Sequence, residues 1–187
     1  MSSHHIVREK QEPALYLQDF EGFNEEYLGQ LLEWSPTVLV SAQSYEKAIS
    51  LGLKVDVVIG NDEKLDVQEH TQFVFSPYDN LPTVVKYLVS EKYPAVNIIS
   101  QEDHFDDLAD LLPEINIVLY TATTKSYAVK SGFRIWKPAG TIFKIDIIAY
   151  LETANLKPLE NGDFEVINDG FVSFEFTIPY LFLSEYL

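Results

Sequence analysis

The chain has 187 residues, 47% of them hydrophobic, a formal net charge of −16 and no cysteine. That is enough apolar content for one large core or two small ones, and it excludes a disulfide framework or a thiolate metal site. A surface this acidic, with no Lys/Arg cluster, argues against nucleic acid and against an anionic membrane as partner.

No apolar run reaches membrane-spanning length, and Met1–Gln11 is polar, unlike a secretory leader, so the expected compartment is the cytoplasm. His4 and His5 read as a solvated terminus. The 12 Phe and 11 Tyr suit sheet packing.

In chain order, residues 13–20 predict a strand and 24–34 a helix. Asn24 is placed to cap that helix ahead of Glu25 and Glu26. Thr37–Val40 is a short apolar run between Pro36 and Ser41, the pattern of a buried parallel strand. Tyr45–Leu51 has helical spacing and stops at Gly52. Strands follow at Val55–Ile59 and Gln72–Phe75. A helix runs over Pro82–Leu88 with the proline in its first turn, and the next strand is Ala95–Ile99. Phe105–Leu112 predicts a helix with Phe105, Leu108, Ala109 and Leu112 on its apolar side. Ile115–Tyr120 is a further strand. Alternation of this kind predicts a doubly wound, mainly parallel α/β sheet over residues 1–120.

After Tyr120 the period changes. Short strands are predicted at Ser126–Lys130, Phe133–Trp136, Thr141–Tyr150, Phe164–Asn168, Val172–Ile178 and Tyr180–Leu183. Turn signals separate them at Ser131-Gly132, Pro138-Ala-Gly140, Asn161-Gly162 and Asn168-Asp-Gly170. Residues 121–187 are therefore expected to form an antiparallel β-sandwich without helices, with the boundary near 120–124.

Ligands of open α/β sheets bind at the carboxyl ends of the strands. The loop Gly60-Asn-Asp-Glu-Lys-Leu-Asp66 follows such an end. Gly60 permits a tight turn, and Asp62, Glu63 and Asp66 put three carboxylates in one loop, suited to Mg²⁺ or simply to solvation. Asp103, Asp106, Asp107 and Asp110 share one face of their predicted helix, as a cation site or as a solvated face. His104 is a candidate base or a capping residue.

Several segments, in order, resemble the thiamine pyrophosphokinases. Val55-Asp-Val-Val-Ile-Gly-Asn-Asp-Glu-Lys64 is similar to the family's aspartate-rich loop, preceded by the matching helix Glu46–Lys54. Asp79-Asn-Leu-Pro-Thr-Val-Val-Lys-Tyr-Leu88 corresponds to a second acidic segment, and Asp103-His104 to an Asp-His pair. Asn155-Leu-Lys-Pro-Leu-Glu-Asn161 and Ile167–Glu175 resemble the thiamine-binding sandwich. The resemblance spans residues 37–187.

It implies an N-terminal domain for ATP and Mg²⁺ and a C-terminal sandwich that helps bind thiamine at a homodimer interface. The implied reaction is pyrophosphate transfer from ATP, as co-substrate, to thiamine. The catalytic residues would be Asp62, Glu63 and Asp79, with Asp66 joining them as Mg²⁺ ligands. Gly60, Asn61, Asn80, Thr83, Asp103 and His104 would hold the nucleotide. Trp136, with Tyr127, would stack on the thiamine ring or pack in the core, and Ser173 would meet the aminopyrimidine or be an ordinary strand hydroxyl.

Departures from the pattern remove charge. No acid stands near Ser41-Ala42-Gln43, Asn61 and Glu63 replace aspartates, and Asn80 and Thr83 occupy two later aspartate positions. The glycine-rich turn is shortened to Ser100-Gln-Glu102. These changes predict weak or absent catalysis with ligand binding retained, in a thiamine- or nucleotide-binding relative or a protein-interaction module.

Overall fold

The structure, a computed structural model, describes residues 12–187 except Glu63, Asp79, Asp103, His104 and 147–149, and does not describe the side chain of Asp106. The contacts divide the chain into two compact units, up to Ile117 and from Val118 onward. The division falls inside a strand, ahead of the change of period after Tyr120.

The first unit is a parallel sheet with helical connections. Strand β1 (Ala14–Leu17) has all four residues buried, as a central strand covered on both faces must. Helix α1 (Glu25–Leu32) follows, capped by the Asn24 side chain, which accepts the N–H groups of Glu26 and Tyr27. Next come β2 (Val38–Ser41), α2 (Tyr45–Ser50), β3 (Val57–Gly60) and β4 (Gln72–Phe75). Gly52 ends α2 at φ 73°, a region only glycine enters freely.

Helix α3 (Leu81–Ser90) buries Leu81, Val84, Val85 and Leu88, one stripe at helical spacing. Each such side chain contributes about 1.5–3 kcal/mol of transfer free energy. Strands β5 (Ala95–Ile99) and β6 (Asn116–Tyr120) complete the sequence of elements. The parallel order is β5-β1-β2-β3-β4. The chain thus winds outward from β1 to β4, then crosses back to the other side of β1.

Residues 105–112 do not form the expected α-helix. Asp106–Leu111 is a 3₁₀ helix, closed by i→i+3 bonds such as Leu108 N to Phe105 O at 2.8 Å. Three aspartates weaken α-helix formation there, and Pro113 stops it. The buried side is Phe105, Leu108, Leu111 and Leu112, whereas Ala109 is exposed.

The second unit is antiparallel. Strands β7 (Thr124–Val129), β9 (Ile142–Ile145), β12 (Phe164–Val166), β11 (Leu156–Pro158) and β14 (Leu181–Tyr186) pair in the order β11-β12-β9-β14-β7, and β7 also pairs with the Val118–Tyr120 part of β6. A separate sheet has the order β10-β13-β8, from Leu151–Ala154, Gly170–Phe176 and Phe133–Lys137. The expected single strand over Thr141–Tyr150 stops at Ile145. The alternation of Leu151–Ala154 and the short Leu156–Pro158 run make two strands that the pattern did not reveal. Among the described residues no helix follows Leu112.

The core between these sheets centres on Phe174, edge-on to Phe143 with ring centres 5.7 Å apart and stacked on Phe133 at 6.3 Å. Lys137 and Glu185 form an ion pair from β8 to β14, and the Tyr127 hydroxyl donates to the other Glu185 oxygen at 2.5 Å. Among the described residues no helix is long and apolar enough to cross a membrane.

Candidate functional site

Reversal of winding at β1 and β5 makes their carboxyl ends the natural crevice of this sheet. The residues there are tightly fixed. Gln18 follows the buried run of β1, and its N–H donates to Ile99 O at 3.0 Å. Its carbonyl accepts two hydroxyls, from Ser41 at 2.7 Å and Ser44 at 2.6 Å. On the β5 side, the Glu102 N–H donates to the Ser100 hydroxyl at 3.1 Å, and Gln101 reaches across to Glu21 O at 2.7 Å.

A cavity of about 170 Å³ opens at this point, lined by Gln18, Asn80, Leu81, Pro82, Glu102, Asp107 and Leu108. It lies between the start of α3 and the 3₁₀ helix, which pack together. The Gln18 side-chain oxygen is buried and has no hydrogen-bond partner.

The sequence candidates fall in different places. Gly60 closes β3 at an ordinary strand φ, so its role is not to turn the chain. A Cβ on it would lie 2.4 Å from the Ala42 Cβ, and that close approach of the β2–α2 connection is what requires glycine. Asn61, Asp62 and Asp66 are exposed, and Asp62 Oδ1 accepts the Lys64 N–H at 3.0 Å. None of these lines the cavity. Asn80 does, but its side-chain oxygen caps α3, accepting the Thr83 N–H at 3.1 Å and the Thr83 hydroxyl at 2.7 Å. Glu63, Asp79, Asp103 and His104 lie outside the described residues.

Among the described residues no group of three or more His, Asp or Glu side chains is placed to hold a metal ion. Of the four residues that the sequence assigns to Mg²⁺, only Asp62 and Asp66 are among the described residues.

In the second unit, Trp136 and Phe171 are opposite one another on β8 and β13, exposed by 55% and 58%. The Arg134 guanidinium lies over the Phe171 ring at 5.2 Å. Ser173, opposite Arg134, is on the same outward face. Trp136 is thus not a core residue. Tyr127 is tied to Glu185, and burial, then that hydrogen bond, push its hydroxyl pKa far up.

Gln18 and Glu102 went unassigned as a site in the sequence, and Asp107 was read only as one of four aspartates on a helix face, a cation site or a solvated face. The usable signal was topological: Gln18 is the first polar residue after the most buried strand.

No protein-family model matches the chain, and no curated protein matches it in sequence. Solved structures match its fold. The thiamin pyrophosphokinase from Geobacillus thermodenitrificans superposes with a TM-score of 0.69 at 9% identity, over 93% of this chain and 97% of that one. The thiamin pyrophosphokinase from Candida albicans gives 0.66 at 10% identity, over 94% and 90%. A thiamin pyrophosphokinase family protein from Enterococcus faecalis gives 0.63 at 16% identity, over 94% and 99%. At these identities the likeness shows the fold, which is the one the sequence resemblance implied.

Proposed function

We propose that this chain is a small-ligand-binding relative of the thiamin pyrophosphokinases in which pyrophosphate transfer from ATP to thiamine is weak or lost. One observation carries the reading. Asn80 and Thr83 stand where the resemblance puts two aspartates; both are uncharged, and Asn80 Oδ1 is spent accepting the Thr83 N–H and hydroxyl at the cap of α3. Holding a metal against a triphosphate while charge shifts to the leaving group needs anionic ligands at such positions. Loss of one well-placed charge stabiliser commonly lowers the rate by about 10²–10³.

The test incubates the protein with ATP, Mg²⁺ and thiamine and quantifies thiamine diphosphate and AMP. No turnover above background supports the reading, and turnover near ~1 s⁻¹ overturns it. Asn80→Asp is the informative companion, because aspartate caps a helix as well as asparagine does. A gain of turnover in that variant ties the loss to this position. The exposed Trp136–Phe171 face supports the further reading that the chain pairs with a second copy through its β-unit.

A further inference from the structure

Asn161-Gly162 turns the chain between β11 and β12, and Asn161 is the one asparagine of the sequence followed by glycine. Such a pair is prone to a spontaneous change. The glycine nitrogen attacks the asparagine Cγ and forms an N–Cγ bond. The Cγ–Nδ2 bond breaks, and the proton of the glycine nitrogen leaves with the ammonia. Water then opens the succinimide ring at either carbonyl, giving aspartate or isoaspartate, whose backbone is one carbon longer. Glycine favours the reaction because it has no side chain to obstruct the ring. Here both residues are exposed, and a Cβ built on Gly162 would meet nothing within 4 Å.

The folded turn withholds each atom that the reaction needs. The Gly162 N–H donates to Leu159 O at 3.1 Å, so the attacking nitrogen gives its proton to a carbonyl and not to water. The Asn161 carboxamide is gripped at both ends by one residue. Its oxygen accepts the Asp163 N–H at 3.1 Å, and its NH₂ donates to Asp163 Oδ2 at 2.8 Å. Attack makes Cγ tetrahedral and swings both of its heteroatoms, which gives up those bonds. Asp163 is itself anchored: it is buried, its carbonyl accepts the Leu159 N–H at 2.8 Å, and its Oδ2 also accepts the Tyr186 hydroxyl at 3.2 Å.

We propose that Asn161 is the chain's site of non-enzymatic deamidation, closed in the folded turn and reactive when the turn opens, with Asp163 as the residue that keeps it closed. The change runs one way. Once residue 161 is an acid, the donor facing Asp163 Oδ2 has become a second carboxylate, and repulsion replaces a hydrogen bond. The turn does not re-form as it was, and β11, an edge strand whose pairing is with β12, loses its anchor. A carboxylate beside a reacting amide could instead act as a base and hasten the attack. The Gly162 proton decides between the two, because Leu159 O holds it and Asp163 does not.

The test ages the full chain in mildly alkaline buffer, folded and in guanidinium chloride, and follows each asparagine peptide by mass and by isoaspartate content. In denaturant, Asn161 is expected to convert ahead of the other asparagines. In the folded chain its conversion should be at least about tenfold slower, since three bonds of ordinary net strength must open first. Asp163→Ala, checked for folding by circular dichroism, should speed the folded rate about two- to tenfold, the worth of one such bond. Tyr186→Phe removes only the hydroxyl bond to Asp163 and should leave the rate unchanged. Equal rates in the folded and denatured chain overturn the inference, as does another asparagine converting first in denaturant. So does an Asp163→Ala rate at or below wild type, or an equal rise in Tyr186→Phe. Should Asp163→Ala not fold, the comparison of folded with denatured wild type decides by itself.

Discussion

Gly60→Ala is expected to destabilise the first unit, and Ala42→Gly to rescue it. A Cβ at position 60 would sit 2.4 Å from the Ala42 Cβ, where carbon atoms normally approach to about 3.5–4 Å. Neither methyl group has a rotamer to escape into, so the backbones must separate by more than about 1 Å. Hydrogen bonds resist that separation. The Ala42 N–H donates to Ile59 O at 2.9 Å, and the Ser76 N–H to Gly60 O at 2.8 Å. Overpacking of this kind costs about 1–3 kcal/mol.

With a urea m-value of about 2 kcal/mol/M, the midpoint falls by roughly 0.5–1.5 M. The assay is urea unfolding followed by circular dichroism on wild type, both single variants and the double variant. Ala42→Gly alone should cost about 0.5–1 kcal/mol through added chain freedom. The double variant should recover most of the Gly60→Ala loss, giving a coupling of about 1–3 kcal/mol. A wild-type midpoint for Gly60→Ala, or penalties that add in the double variant, would refute the close-approach account.

Asn80→Ala should cost about 0.5–2 kcal/mol by removing the cap of α3, with Asn80→Asp near wild type, both read from thermal melts. Tyr127 makes stability fall in alkali: its pKa is raised by burial and by Glu185, so stability is complete below the unfolded value of about 10 and is lost as pH rises beyond it. The loss is about 1.4 kcal/mol per pH unit for this group, and Tyr127→Phe should show a shallower alkaline limb in urea melts taken from pH 8 to 11. Sedimentation should give a dimer at tens of micromolar that Trp136→Glu or Phe171→Glu converts to monomer; a monomeric wild type counts against pairing through that face.

How much was legible depended on whether a signal was local. Asn24 and Gly52 act through bonds and dihedrals within their own turn, and both were readable. Asn80 is equally local, but resemblance assigned it to a nucleotide and hid its role as a cap. Gly60 looked like a turn glycine because the strand ends there, whereas its reason is Ala42, a neighbour only in space. The 3₁₀ turn at 106–111 has helical apolar spacing, and only its aspartates and Pro113 hinted at the tighter winding. Leu156–Pro158 reads poorly as a strand because proline is confined to sheet edges, which is where β11 lies. The cavity was invisible for a deeper reason: Gln18, Asn80, Glu102 and Asp107 come together only once strand order is known.

Asn155 has a positive φ of 64° between β10 and β11, where the chain passes from one sheet to the other. Its side-chain oxygen accepts the Asn168 N–H at 3.0 Å and its NH₂ donates to Asn168 O at 2.7 Å. Asn168 lies on the return passage, between β12 and β13. One planar amide therefore staples the outgoing corner to the incoming one, imitating a rung of strand pairing. In a chain without cysteines, this amide crosslinks the two crossings, beside the backbone bond from Ile167 N–H to Asn155 O. The fraying of either corner releases the other, so hydrogen exchange at Asn168 and at the neighbouring Ile167, whose N–H donates to Asn155 O at 3.1 Å, should rise together and by the same factor when Asn155 is replaced by glycine.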